Sequence, residues 1–346
     1  MARIAVLMSG GTDSSCAALI LKQAGHEVVG LTAKMWRRAS RCCGDDDIYR
    51  AQRVCHKLGI RHVVLDLTAP FSDRVVGEFA RSYLAGLTPN PCAVCNREIK
   101  FGLLVEAALK VGCERVASGH YAGLGASGGR PCLVEPADRR KSQVYFLSLV
   151  SKEVLPLLMF PLERLRKQEA TEMVAASGLP MRQNESQDLC FAGDGAYEEI
   201  VRERSTGVGP GDVVDLEGNV VARHRGHYAY TVGQRFGVGG RRLYVISKDA
   251  ARNRIVVAER DRAMAGRLRA GSVNFFLDLE VRPGNVVLVK HRYNSPPVGG
   301  RVVARQDDSI EIALDQPCFA PAPGQILACF AGDRLVCGGP MDPVLE

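Results

Sequence analysis

Two common nucleotide-phosphate signatures are missing where they would be expected: this 346-residue chain has no GxxxxGK[ST] loop, and no GxGxxG follows its first apolar run, residues 4–8. Nowhere do about 18 apolar residues stand together. The apolar stretch in the opening MARIAVLM is too short for a signal-peptide core and lacks a small-residue cleavage site. Secretion and membrane insertion are therefore not expected, whereas a soluble cytoplasmic protein with no membrane partner is. Internal repeats and low-complexity tracts are absent too. With 46% hydrophobic and 24% charged residues the chain can bury real cores, and its length suggests two or three domains.

Cysteine, by contrast, is plentiful at twelve. Without a secretion signal, and at this length, reduced thiols with metal or redox chemistry fit better than a disulfide framework. Cys16, Cys55, Cys113, Cys132, Cys318, Cys329 and Cys337 lie in apolar or helical surroundings and read as packing. Cys92 and Cys95 form a CxxC inside residues 88–101, TPNPCAVCNREIKF. Two prolines around an asparagine stiffen that loop and set both thiols just before a helix N-terminus, which favours a nucleophilic thiolate. A redox pair, a zinc half-site and coincidence all fit a CxxC. Zinc would need two more ligands, which Cys42-Cys43 could supply only with strained geometry.

Residues 4–15, IAVLMSGGTDSS, are the most informative stretch: an apolar run, two glycines, then hydroxyls and an aspartate where a helix would begin. A strand ending on Ser9-Gly10-Gly11 and turning into a helix at Thr12 or Asp13 aims backbone N–H groups at one point, a phosphate site. SGGxDSS resembles the pyrophosphatase (PP) loop of ATP enzymes that adenylate a substrate. That resemblance implies that the amides of Gly10, Gly11 and Thr12 and the hydroxyls of Ser9, Ser14 and Ser15 hold the leaving group, with Asp13 facing magnesium.

Strands and helices alternate through the first 200 residues. Helices are expected over residues 14–24, over DDDIYRAQRVCHKLGI, from Ser72 to about Ala85, from Asn96 to Val111, from Lys152 to Leu157 and from Leu162 to Ser177. Strands are expected at VVGLTA, RHVVLDL and ERVASG. The fold class is α/β, a doubly wound parallel sheet whose ligand lies beyond the strands' carboxyl ends, where Ser9-Gly10-Gly11, Ala33 and Ser118-Gly119-His120 should converge. From about Gly207 short β runs take over, with hairpins around residues 217–219 and 249–253, and after a linker at 261–270 further strands suggest a C-terminal β-barrel. The expected domains are 1–205, 206–270 and 271–346. Residues 223–269 carry twelve Arg or Lys against three acids, and residues 270–346 six against nine. That basic middle suits a polyanion. His224 and His227 within it read as surface or RNA-facing residues.

Ser9–Ser15, Thr88–Phe101, Ser118–Tyr121, Lys141–Gln143, Asp188–Phe191, Tyr230–Arg235 and Pro323–Gln325 occur in the order seen in bacterial tRNA-specific 2-thiouridylases, and the similarity spans almost the whole chain. It implies ATP-dependent thiolation of the wobble uridine at tRNA position 34 by a monomer, with a persulfide donor (a cysteine desulfurase or relay protein) as second partner. ATP is assigned to Leu7, Met8, Ser9, Gly10, Gly11, Thr12, Asp13, Ser14, Ala33 and Gly119, with Trp36 packing behind it. Asn90, Pro91 and Cys92 would face the target base, and His120, Lys141, Ser142, Gln143, Arg292, Tyr293 and Gln325 would touch the tRNA. Cys190 would carry the persulfide sulfur and Cys95 attack it.

Two positions depart from the common family pattern. Ala33 replaces a methionine that lies against adenine, a packing change. Cys92 replaces an aspartate, which vacates an acid/base role and leaves three thiols, Cys92, Cys95 and Cys190, the number that anchors a 4Fe-4S cluster with one open iron. Persulfide and cluster routes both remain open at this stage. Cys42 and Cys43 read as loop residues or auxiliary sulfur carriers. Rival readings are another adenylating synthetase of the same superfamily, which has no use for the CxxC or Cys190, and a non-catalytic RNA-binding protein, which has none for SGGTDSS.

Overall fold

A computed structural model describes residues 1–36, 45–181, 189–192, 197–205 and 207–343. Cys42, Cys43 and Asp188 lie outside the described residues. The chain divides into two compact units: Met1–Val76 with Cys92–Asp194 and Asp333–Leu335, and Gly77–Pro91 with Gly195–Gly332 and Val336–Glu346.

In the first unit, β1 (Arg3–Leu7), β2 (Glu27–Lys34), β3 (Arg61–Asp66), β4 (Arg115–Ser118), the hairpin β5 (Gly123–Ser127) and β6 (Arg130–Val134), and the short β7 (Leu158–Met159) are joined by helices. The main sheet runs β3-β2-β1-β4-β7, every pairing parallel, as the alternating apolar runs predict. β1 lies at its centre with Ile4, Ala5 and Val6 fully buried, because a parallel sheet covered on both faces needs continuous apolar strands. Helices α1 (Thr12–Gln23) and α2 (Asp45–Leu58) turn Cys16, Leu19, Ala51, Val54 and Cys55 into a core shared with Val174 and Leu179.

Three helix boundaries differ from expectation. The helix expected from Ser72 begins at Thr68, since Asp66 Oδ1 accepts from Thr68 N at 3.0 Å and Oγ1 at 2.6 Å and turns the chain there. The helix expected from Leu162 begins at Lys167: the Glu169 carboxylate takes the Arg166 N–H at 2.6 Å and fixes the start, while Leu162 points into the core. The helix expected from Asn96 begins at Pro91, where proline's fixed φ and missing N–H suit a first turn. Cys92 and Cys95 are therefore inside the helix rather than in the loop before it.

The second unit holds a small sheet of β8 (Gly211–Val214), β9 (Val220–His224), β10 (Arg235–Val238), β11 (Arg241–Asp249) and β12 (Arg254–Ala258), in the order β10-β11-β12-β8-β9. Both expected hairpin turns are present, with Gly218 at φ 88° and Asn253 at φ 49° supplying left-handed backbone. Then follow β13 (Met264–Ala270), β14 (Asn274–Phe275), β15 (Val286–Lys290), β16 (Val298–Arg305), β17 (Ile310–Phe319), β18 (Ile326–Ala331) and β19 (Arg334–Pro340), paired β13-β17-β16-β15-β18-β19. His224 and His227 are not on the surface: they are 2% and 1% exposed. Their rings bracket the Asn253 turn, His224 Nε2 at 3.0 Å from Asn253 O and His227 Nδ1 at 3.0 Å from Asn253 Oδ1, so a tight turn consumes the pair.

Burial lowers the pKa of His62, His120 and His224, and pushes His291 down to about 4. In each case the unfolded chain takes up the proton first, so stability is full above the ordinary histidine value near 6.5 and is lost as pH falls through it. Urea titrations at pH about 7 and about 5.5 should give a clearly lower midpoint at the acid value. Equal midpoints would contradict the neutral, buried state of these rings.

Candidate active site

β1 ends at Leu7 and α1 starts at Thr12, so residues 8–11 form the turn between them. Met8 is pinned on both sides of its peptide, its N–H donating to Leu31 O at 2.7 Å and its carbonyl accepting from Thr32 Oγ1 at 2.9 Å. Gly10 has φ 72°, and a Cβ there would lie 2.3 Å from Asp47 O, so only glycine fits. Gly11 caps α1 without any side-chain hydrogen bond. The helix's opening N–H groups and its positive end therefore face the carboxyl edge of the sheet, a seat suited to a polyphosphate.

The hydroxyls divide differently from expectation. Ser15 is fully buried and donates to Gly11 O at 2.9 Å; Ser14 donates to the same carbonyl at 3.0 Å and accepts from Ser9 N at 3.2 Å. Ser15 thus shapes the loop from beneath instead of reaching a ligand, and Ser9 is the exposed hydroxyl.

Asp13 sits in the first turn of α1, where a carboxylate complements the helix dipole. Lys167 Nζ lies 2.6 Å from its Oδ1, and the Tyr121 hydroxyl donates to the same oxygen at 3.3 Å. Burial, and after it that carboxylate, hold the Tyr121 phenol well above its ordinary pKa, so it stays a donor. Lys167 is a functional candidate that local pattern left unnoticed. One signal for it existed: Lys167 is the first residue of its helix, where a cation opposes the dipole.

Gly119 presses on the loop from β4. A Cβ on it would lie 2.5 Å from Asp13 C and 2.6 Å from Ser14 N. Ala33, at the end of β2, is 5% exposed. Of the residues that the resemblance assigns to tRNA in this unit, His120 is buried, with Nδ1 2.9 Å from Ser118 Oγ and Nε2 3.5 Å from Lys100 Nζ. Burial and the Lys100 charge hold it neutral. Gln143 accepts from Tyr121 N at 3.0 Å and so braces the 119–121 turn, while buried Ser142 accepts from Val144 N at 3.4 Å within its own segment. Lys141 is half-buried beside them.

Both cysteine segments are seated at the same sheet edge. Phe191, next to Cys190, packs edge-on against Trp36 at 6.3 Å and Phe71 at 5.9 Å, just past the ends of β2 and β3. Trp36 therefore anchors the Cys190 turn, a role beyond the plain packing expected of it. Cys95 is buried, and the helical stretch after it sets Phe101 5.5 Å from the His120 ring beyond β4. In the strand order β3-β2-β1-β4 the two segments flank the glycine loop. Residues Asn96–Leu103 widen into a π-type helix, a form that often accompanies functional sites. Cys190 is half-buried and Cys92 exposed. Among the described residues no three His, Cys, Asp or Glu side chains gather as a metal-binding set. Asp13 fits a magnesium ion only as a single carboxylate shared with phosphate oxygens, the usual way that ion is held.

In the second unit, Asn90 and Pro91 are buried. Gln325 donates its amide to Thr88 O and Pro89 O, both at 3.1 Å, and Arg292 donates to Val232 O and Ala320 O. Those two side chains hold backbone, while Tyr293 carries the Lys290 ammonium 5.6 Å from its ring centre. Ten of the twelve basic residues in 223–269 are exposed, although Arg223, Arg225, Arg241, Arg252, Arg267 and Arg269 pair with acids. Arg241, Arg242 and Arg260, with Tyr244, line an open cavity of about 690 Å³.

Three family models match in series: a tRNA methyl transferase HUP domain over residues 2–194, a tRNA methyl transferase PRC-barrel domain over 200–259 and an aminomethyltransferase β-barrel domain over 265–341. The tRNA-specific 2-thiouridylase MnmA of Acidithiobacillus ferrooxidans is 37% identical over 340 residues, 96% of each chain. The chain belongs to the tRNA-specific 2-thiouridylase family. Other members are equally close in length: that of Chloroflexus aurantiacus is 39% identical over 98% of each chain, and that of Pelotomaculum thermopropionicum 36% identical over 98% of this chain and 97% of its own. Membership gives the glycine loop, the CxxC helix and the Cys190 turn a common context, all within the part matched by the first family model.

Proposed function

We propose that the protein converts the wobble uridine at tRNA position 34 to 2-thiouridine, using ATP and a sulfur atom carried on Cys190. One observation carries this reading: a single sheet edge holds both an uncapped, glycine-lined helix N-terminus and two cysteine-bearing segments. ATP, the co-substrate, supplies the activation, making the uracil oxygen at ring position 2 a good leaving group; Asp13 would hold a magnesium ion, which would offset phosphate charge there. The α1 N-terminus holds the departing pyrophosphate, and Lys167 neutralises charge beside it.

The chain's own thiols do the rest. The terminal sulfur of a Cys190 persulfide, loaded by a donor such as a cysteine desulfurase or relay protein, attacks ring carbon 2 and AMP leaves with the former uracil oxygen. Cys95 thiolate then attacks the Cys190 sulfur, forming a Cys95–Cys190 disulfide and breaking the bond to the transferred atom, which stays on the base as the thiocarbonyl. The sulfane sulfur is reduced, the two cysteines are oxidised, and a cellular thiol resets them. Cys92 stands where an acid/base group would, exposed on the first turn of the CxxC helix.

Among the described residues no helix is long and apolar enough to cross a membrane. The reading takes the protein as a cytoplasmic monomer. Methyl transfer, suggested by the names of the matched family models, gives neither cysteine segment a task. Deleting the gene should remove 2-thiouridine from wobble positions, and wild-type protein should restore it. Retention of the nucleoside after deletion would refute the proposal.

Arg235, Arg242, Arg260 and Arg262 are exposed and pair with no acid among the described residues. If these four meet phosphates, affinity for tRNA should fall roughly a hundredfold between about 50 and about 200 mM salt. Salt-insensitive binding would remove the basic sheet from the contact surface.

A further inference from the structure

The segment entering Cys92 is gripped from several directions inside the second unit. Thr88 N donates to Pro323 O at 2.7 Å, Gln325 holds Thr88 O and Pro89 O, and His227 Nε2 lies 3.0 Å from Leu84 O. Lys248, on β11, completes the grip: its ammonium donates to Leu87 O at 2.9 Å and to Tyr230 O at 3.1 Å, with the Tyr83 ring centre 4.9 Å away. Gly86, at φ 81°, brings the loop close enough for this; a Cβ there would sit 3.1 Å from Lys248 O.

Lys248 is an expensive residue to keep. Burial pulls its pKa down to about 7. The unfolded chain holds that proton up to the ordinary lysine value, so folding stability rises as pH climbs from about 7 to about 10.4, and at neutral pH the buried cation costs stability. Two carbonyls and a ring face only partly offset the loss of water. A neutral hydrophobe would pack more cheaply, which points to a purpose other than stability.

We infer that Lys248 is a positioning residue for the reaction: by joining Leu87 O to Tyr230 O it fixes the loop that carries Asn90 and Pro91 into Cys92 against the basic small sheet. Docking of RNA on that sheet then finds the base-facing loop already in place. This rests on the tRNA-thiolation reading above. Its specific content is that Lys248 serves turnover rather than RNA affinity, and it acts through the loop without touching the reacting atoms.

The test compares wild type with Lys248→Met, using steady-state thiolation of tRNA and amide hydrogen exchange. Expected are a kcat lower by about a hundredfold, in line with an ångström-scale misplacement, and a KM for tRNA within about threefold of wild type. Exchange at Leu87 and Thr88 should be roughly tenfold or more faster, with β8 and β12 unchanged. Lys248→Gln, which keeps N–H donors for the carbonyls, should fall between the two and supplies the comparison if the methionine variant does not fold. Unchanged exchange at residues 87–88, faster exchange throughout the small sheet, or a freed loop with normal kcat would each overturn the assignment. A wild-type protein that thiolates no tRNA would instead count against the reaction reading, since the exchange comparison needs no activity.

Discussion

Replacing Cys190 by alanine is expected to lower thiolation by roughly a thousandfold or more, the scale of losing a covalent catalyst's nucleophile. The turn should stay in place, because Phe191 keeps its seat against Trp36 and Phe71. ATP affinity should stay within about threefold of wild type, because no residue of the glycine loop changes. Cys95→Ala should fail differently. Sulfur reaches ring carbon 2 but cannot be released, so tRNA accumulates joined through a disulfide-linked sulfur to Cys190. Gel-shifted, thiol-cleavable RNA–protein adduct in Cys95→Ala, and none in Cys190→Ala, separates the two roles. Full thiolation by Cys190→Ala would remove this cysteine from the reaction.

Gly119→Ala is expected to weaken ATP binding by ten- to a hundredfold, corresponding to about 1–3 kcal/mol of overpacking. The new methyl group would meet the Asp13–Ser14 peptide at 2.5 and 2.6 Å. Backbone cannot step aside as a side chain would, so the first turn of α1 must shift, together with Asp13 and its ion pair to Lys167. Because this strain falls on the cradle and spares the β domain, tRNA affinity should be nearly unchanged. Calorimetric titration with a non-hydrolysable ATP analogue and a parallel tRNA binding curve check both halves. Wild-type nucleotide affinity in the folded variant would mean that the ligand does not sit on this turn.

The parallel sheet was legible because each buried strand is a short unbroken apolar run, and the cradle because strand, glycines and hydroxyls are contiguous in residues 4–15. Contacts between distant residues left no such trace. Lys167 meets Asp13 across 154 positions and Gln325 meets Thr88 across 237, distances at which periodicity says nothing. His224 and His227 looked like surface residues because the segment around them is basic, yet a histidine can fill a core when its ring nitrogens bridge a turn, as Asn253 allows. The CxxC helix began earlier than its hydrophobic pattern suggested because proline, a poor interior residue, is a good first one. Charge density overstated the basic face, since six of its ten exposed arginines are already paired.

The most direct test loads Cys190 with a persulfide, removes the donor, and follows a single turnover on unmodified tRNA with ATP by nucleoside mass spectrometry. One 2-thiouridine should form per persulfide, with one AMP and one pyrophosphate, and a Cys95–Cys190 disulfide should be recovered by peptide mapping. A methylated nucleoside, or 2-thiouridine formed without ATP cleavage, would contradict the account.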